Sequence, residues 1–156
     1  MTVAIEQVLA PTRELQELIG ELDAALGANY EAHQRHGLSI AQLFEPHVRF
    51  FVARLDGNAV GCGGVALFDD YAEVKRMYTR PAVRGRGVAK ALLRRIESEA
   101  RTSSKTALRL ETGPYQREAI GLYQSMGFTG CSAFGDYAAM PPRNIAMSLF
   151  FEKRHD

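Results

Sequence analysis

The residues with the most chemical potential in this sequence stand together. Val83-Arg84-Gly85-Arg86-Gly87-Val88-Ala89-Lys90-Ala91-Leu92-Leu93 takes an extended segment through a basic, glycine-studded loop into an amphipathic helix. The helix is read from Val88, Leu92, Ile96 and Ala100, with Ala89 and Leu93 beside them, an i, i+4 stripe packed on one face; its start is placed near Gly85. A helix start exposes free N–H groups and the positive end of the macrodipole, so a helix left to itself favours Asp or Glu there. This one carries Arg84, Arg86 and Lys90 instead. Cations in that place suit a bound anion, and Gly85 and Gly87 lack the Cβ atoms that would hold a phosphate away from the backbone amides. The chemistry predicted is pyrophosphate binding. The competing reading is a loop-to-helix junction with a solvated basic face.

Two other phosphate motifs fit less well. A Walker A loop needs G-x-x-x-x-G-K-[ST], which no stretch supplies. The dinucleotide fingerprint G-x-G-x-x-G is met at Gly85 and Gly87, but Lys90 takes the place of the third glycine, and Thr79 to Arg84 intervene where a Rossmann turn is tight. Glu111 does end the next strand, where an acid for a ribose would stand. A Rossmann-like nucleotide-binding enzyme therefore stays as an alternative.

Arg84-Gly85-Arg86-Gly87-Val88-Ala89 matches the R/Q-x-x-G-x-G/A signature of the GNAT-type N-acetyltransferases. Glu73-Val74-Lys75-Arg76-Met77-Tyr78 resembles that family's preceding strand, and Ala119-Ile120-Gly121-Leu122-Tyr123-Gln124-Ser125-Met126-Gly127-Phe128 its downstream helix, so the resemblance runs from about residue 48 to 131. It implies acetyl-CoA as acyl donor and a primary amine of a small molecule or peptide as acceptor, joined by direct attack in a ternary complex. It also implies that the pantetheine arm bonds the strand ending Met77-Tyr78-Thr79, and that the pyrophosphate rests on amides of Arg84, Gly85, Arg86, Gly87, Val88 and Ala89. Gln116 stands where many relatives have an asparagine that touches the cofactor.

The same resemblance implies two catalytic side chains. Tyr123 matches the tyrosine of the family's L-Y-x-x-x-G-F helix, which protonates the departing thiolate. A phenol, at a pKa of about 10 against about 8.5 for a thiol, keeps its proton until the sulfur leaves. The other reading of Tyr123 is an aromatic core residue at helical spacing from Ala119 and Ile120. Glu73 lies as far before Arg84 as the glutamate that serves as base in histone-acetylating members, and burial beside a cleft is expected to raise its pKa. In strand 71–78 it shares a face with Lys75 and Met77, so a Glu73–Lys75 pair turned to solvent is the other reading, with water, Tyr30, His33 or His36 left as base. A non-catalytic acyl-CoA-binding sensor on the same fold is the remaining alternative.

These residues need a sheet to position them. Residues 2–9 alternate as a strand, and Pro11-Thr12 opens a helix through Leu26, with Leu15, Leu18, Ile19, Leu22 and Leu26 on one face and Gly27 as its stop. Residues 28–46 are irregular, with a short helix starting at Ser39 as N-cap. Residues 47–55 and 59–68 form a hairpin across Asp56-Gly57-Asn58, and 71–78 is a third antiparallel strand that feeds the cradle. Gly61, Gly63 and Gly64 predict a bulge or a close backbone approach. After the central helix come a strand over 106–112 parallel to 71–78, a helix over about 117–126 ending at Gly127 in a Schellman-type cap, a strand near 129–132, a loop over 133–144 and a last strand over 145–153. The fold class is α/β, in detail an α+β mixed sheet of order β-α-α-β-β-β-α-β-α-β-β, mostly antiparallel, with a central parallel pair and helices on both faces. The wedge at the C-terminal ends of that pair is where a ligand belongs.

The composition sets the outer bounds. The 156 residues predict a single domain over 1–156, which the resemblance makes an N-acetyltransferase domain, and 46% hydrophobic with 24% charged residues is ordinary for a globular protein. A net charge of +1 provides no global field to recruit nucleic acid or a membrane surface. No stretch approaches a membrane span and Met1 to Glu6 lacks the features of a targeting signal, so a cytoplasmic location is expected. Cys62 and Cys131 read as buried free thiols. His33 and His36, three apart with no third ligand nearby, do not predict a metal site, and no metal is expected. Pairing of two copies as a homodimer is left open, as is the identity of the acceptor, because residues 28–46 and 133–144 carry no motif.

Overall fold

The computed structural model describes residues 2–155; Met1, part of the stretch read for a targeting signal, lies outside them. Seven strands, β1 (Val3–Val8), β2 (Val48–Leu55), β3 (Asn58–Leu67), β4 (Tyr71–Thr79), β5 (Ala107–Thr112), β6 (Thr129–Gly130) and β7 (Leu149–Arg154), form one sheet in the order β1-β2-β3-β4-β5-β7-β6. β4 and β5 are its parallel pair and the other neighbours are antiparallel, which is the mixed sheet expected. The helices are α1 (Arg13–Gly27), α2 (Val88–Thr102), α3 (Arg117–Ser125) and the single turn α4 (Pro142–Ile145).

Each face of the sheet is covered by a different helix. α1 buries Leu15, Leu18 and Ile19 against Phe50, Val52 and Cys62. α2 buries Val88, Leu92, Leu93, Ile96 and Ala100 against the opposite face, together with Tyr123 of α3 and Phe128. α1 starts with Thr12, whose Oγ1 accepts the Leu15 N–H at 3.2 Å. α2 has no side-chain cap. A missing cap costs about 1 kcal/mol, whereas each large buried side chain contributes about 1.5–3 kcal/mol. Packing therefore holds α2 in place and leaves its first amides free for another use.

Several boundaries differ from the sequence reading for physical reasons. α2 begins at Val88 rather than near Gly85, because Gly85 (φ +84°) and Gly87 (φ +81°) take left-handed backbone that cannot continue a helix. The turn after Ser39 is a 3₁₀ turn over Ala41–Phe44, with Ser39 Oγ accepting the Gln42 N–H at 3.3 Å. Only Thr129 and Gly130 pair as β6, and β7 starts at Leu149 because Pro142–Ile145 coil into α4. Cys62 is buried, and that pushes its thiol up to about 12, but Cys131 is half-buried. The Schellman cap is present: Phe128 N donates to Tyr123 O at 3.0 Å and Gly127 N to Gln124 O at 3.2 Å. The accompanying apolar contact is Tyr123 against Phe128, with ring centroids 5.7 Å apart. That cap fixes the helix bearing Tyr123.

Candidate active site

The site begins where the parallel pair parts. β4 and β5 pair only as far as Glu73 with Arg109, yet β4 runs on to Thr79 and β5 to Thr112. A bulge coincides with the parting: the β3–β4 register shifts between Cys62 and Gly64, and Arg76 sits at φ +55°. A bulge bends its strand and resets which face each side chain takes. Glu73 and Lys75 stay together, but Met77 turns to the α2 side and packs in that core, which corrects the expectation that it shares their face. Tyr78 turns to the α1 side, where its hydroxyl donates to Glu21 at 3.0 Å. The glycines of β3 permit this closeness, since a Cβ on Gly61 would lie 2.8 Å from Tyr78 O and 3.0 Å from Val88.

Two cavities open into the wedge. The larger, about 670 Å³, is lined by Met77, Tyr78, Thr79, Arg84, Gly85, Gly87, Val88, Ala89 and Gln116 of the expected cofactor residues. Arg86 does not line it and Lys90 does. The Arg84 amide donates to Pro81 O at 3.3 Å, so the cradle narrows to the amides after it. The first helical bond of α2 runs from Ala91 N to Gly87 O at 3.0 Å, leaving the N–H groups of Val88, Ala89 and Lys90 without a carbonyl in their own helix. No acid stands in the first turn, and a Cβ at Gly85 or Gly87 would meet nothing within 4 Å. Open amides, a positive dipole end and no competing carboxylate fit a pyrophosphate. The Arg84 side chain lies across the mouth, donating to Thr79 O at 3.3 Å with Glu118 of α3 at 3.9 Å.

The smaller cavity, about 120 Å³, lies between the ends of β4 and β5 and is lined by Glu73, Lys75, Arg76, Glu111, Tyr137, His36 and Arg35 among others. Glu73 and Lys75 are 4% and 9% exposed, so the solvent-facing pair is ruled out. Lys75 Nζ is 3.1 Å from Glu73 Oε2, 3.2 Å from Tyr137 Oη and 3.4 Å from His36 O, one acceptor for each of its three N–H bonds. Tyr137 donates to the same Glu73 Oε2 at 2.7 Å. Burial and the Glu73 charge raise the Tyr137 pKa, so the phenol keeps the proton it donates. Glu73 Oε1 has no protein partner among the described residues and is left to the cavity. Glu111 Oε2 accepts the Ser148 hydroxyl at 2.7 Å, and burial is the main reason its carboxyl is pushed up, with the Glu73 charge adding to it.

Tyr123 joins the two cavities. Leu22, Met77, Gln116, Ala119 and Tyr123 line both, and of these Tyr123 alone carries a proton to give. Its hydroxyl has no protein partner among the described residues, and burial followed by the charge of Glu111 raises its pKa. The alternative bases separate from the site or are occupied. His33 faces Glu31 at 3.4 Å instead of lining either cavity. The Tyr30 hydroxyl accepts the Tyr115 N–H at 2.9 Å, with a pKa raised by burial. His36 does reach the pocket, where its Nε2–H donates to Asn144 O at 2.8 Å. Glu111 stands in the smaller cavity, away from any ribose position. Tyr137 was absent from the sequence expectations, and Lys75 and Arg76 appeared there with no role in the site: Tyr137 sits in a loop without a motif, and the bulge that aims Arg76 was signalled only by the β3 glycines.

Comparison with known proteins places this geometry. A model of the acetyltransferase (GNAT) family matches residues 14–128. The chain is similar to the IAA acetyltransferase of Azospirillum brasilense, 43% identical over 155 residues that cover 98% of this chain and 97% of that protein. It is 36% identical over 110 residues to the N-acetylaspartate synthetase of Rattus norvegicus, covering 68% of this chain and 36% of that protein. Among solved structures, one described as an acyl-CoA N-acyltransferase of Klebsiella pneumoniae superimposes with a TM-score of 0.81 at 33% identity, covering 97% of each chain.

Proposed function

The chain belongs to the acetyltransferase (GNAT) family, and from that premise we propose how its own residues move an acetyl group from acetyl-CoA to an amine. The larger cavity holds the donor, with its pyrophosphate on the amides from Gly85 to Lys90 and its thioester beside Tyr123. The smaller cavity holds the amine. Glu73 Oε1 takes a proton from the ammonium, directly or through a water; the nitrogen attacks the thioester carbonyl, a C–N bond forms and the C–S bond breaks. Tyr123 gives its proton to the leaving thiolate, and the second proton, shed by the nitrogen as the amide forms, restores the phenol. Holding both reactants in one wedge supplies much of the rate, and amides that β4 leaves unpaired on its β5 side offer donors to the carbonyl oxygen.

The observation that carries this reading is Tyr123, the one proton donor among the side chains shared by both cavities. Its raised pKa keeps the phenol protonated, with a proton to give and no capacity to act as the base. A non-catalytic sensor would have no use for a buried, protonated phenol at that junction. The same reading takes the chain as one domain over residues 1–156 working in the cytoplasm, a reducing compartment that suits the free thiols of Cys62 and Cys131. Relatives this similar carry names as different as IAA acetyltransferase and N-acetylaspartate synthetase, so kinship leaves the acceptor to be read from the pocket. Tyr123→Phe keeps the ring against Phe128 and removes the proton. Single-turnover acetylation should slow by about 100-fold or more with an unchanged Kd for acetyl-CoA; equal rates would assign Tyr123 to packing alone.

A further inference from the structure

Resting on the reading above, in which the smaller cavity receives the amine, we propose that the acceptor is a small amino acid. Its ammonium enters beside Glu73 and Glu111, and its carboxylate stays at the rim with Arg35.

The pairing of charges around this cavity carries the proposal. Glu73 is matched by Lys75 at 3.1 Å, and Arg76 by Asp23 of α1. Among the described residues, two lining charges remain without an opposite partner. Glu111, at the inner end of β5, has only the neutral Ser148 hydroxyl at 2.7 Å, and Arg35, exposed at the mouth, makes no ion pair. The Arg76 side chain, 5% exposed and bonded to Asp23, closes the same wall and offers the cavity no unpaired charge. The cavity is therefore negative within and positive at its rim.

Each acceptor class meets that dipole differently. An ammonium placed inside gives Glu111 the opposite charge it lacks, and a carboxylate near it meets Arg35. The second ammonium of a short diamine would face Arg35 instead, and a neutral amine would leave it unmatched. Size narrows the choice further. The cavity, about 120 Å³, is well below the 300–1,000 Å³ usual for ligand pockets. The amine and the carboxylate must then be separated by only a few bonds, as in an α- or β-amino acid.

The test is acetylation by the full chain with acetyl-CoA, followed as CoA thiol release, across matched acceptors: alanine, serine and aspartate, their α-carboxamides, and 1,3-diaminopropane. Each acid should exceed its carboxamide in kcat/KM by about fivefold, the upper range for a rim ion pair, with the diamine lowest. Arg35→Glu, on an exposed side chain with no ion pair to lose, should invert the order in favour of the diamine. Carboxamides or diamine turned over as well as the acids by the wild type, or an order untouched by Arg35→Glu, would overturn the acceptor class and leave the acetyltransferase reading standing. Absence of acetylation in every series would overturn the acceptor class alone, and only a chain that also fails to bind acetyl-CoA by calorimetry would overturn the acetyltransferase reading.

Discussion

The two cavities that meet at Tyr123 are built on opposite principles. The larger is walled by backbone: glycines in left-handed conformation, the uncapped start of α2, and a strand end released from its neighbour. The smaller is walled by side chains from segments far apart in sequence, with Glu73 and Lys75 on β4, Glu111 on β5, and Arg35, His36 and Tyr137 from loops. Backbone donors recognise an anion whatever the neighbouring side chains are, provided nothing blocks the approach. Charged side chains recognise one arrangement of charges and pay for it in burial. A common donor and a particular acceptor need these two kinds of wall.

The largest effect should come from the acceptor side. Glu73→Gln is expected to lower kcat/KM about 100-fold below about pH 8 and to recover as pH rises and the free amine becomes available unaided. It also leaves Lys75 buried without its carboxylate, which costs roughly 3 kcal/mol or more. Adding Lys75→Met separates the two roles, because the double variant should regain stability in denaturant unfolding and not turnover. A double variant as active as the wild type would reduce the pair to a structural one.

On the donor side the effect should be smaller and confined to binding. Gly87→Val is expected to weaken acetyl-CoA about tenfold by calorimetry, because a branched side chain stands between the ligand and the amides. Gly57, at φ +84° in the β2–β3 turn with nothing within 4 Å of a Cβ, controls for backbone strain. Both valines should lose about 1–2 kcal/mol of stability, and only the one at residue 87 should lose affinity. Equal affinities would locate the pyrophosphate elsewhere.

The smallest effect separates stability from function inside one pocket. Glu111 has a folded pKa raised above its ordinary value, so its ionised form costs stability at pH above that folded pKa and costs nothing once both folded and unfolded forms are protonated. Glu111→Gln should therefore raise Tm by a few degrees at pH 8, with the gain fading toward pH 4, while amino-acid acceptors bind less well. A Tm that falls at pH 8 would mean that the ionised carboxylate is a net support of the fold.

The same contrast explains what was legible in the sequence. The stripe of α2, the turn at Asp56-Gly57, the cap at Gly127 and the cradle glycines are local patterns, so the order of strands and the donor cleft followed from short windows. The helix start was misplaced because positive φ at Gly85 and Gly87 is a property of the folded loop. Met77 was assigned to the wrong face because one bulge at Arg76 resets the alternation. Glu73 was singled out through its family position, but its hydrogen-bond partner Tyr137, 64 residues later, lies in a loop that no periodicity marks. Pairing across such distances is decided by tertiary packing and leaves no local trace.

The meeting of the two cavities at Tyr123 is tested most directly by a crystal structure of the enzyme with CoA. The expected result is a pyrophosphate on the amides between Gly85 and Lys90 and a sulfur within about 3.5 Å of Tyr123 Oη, the reach of a proton transfer. A sulfur held away from Tyr123, or a pyrophosphate off the start of α2, would contradict it.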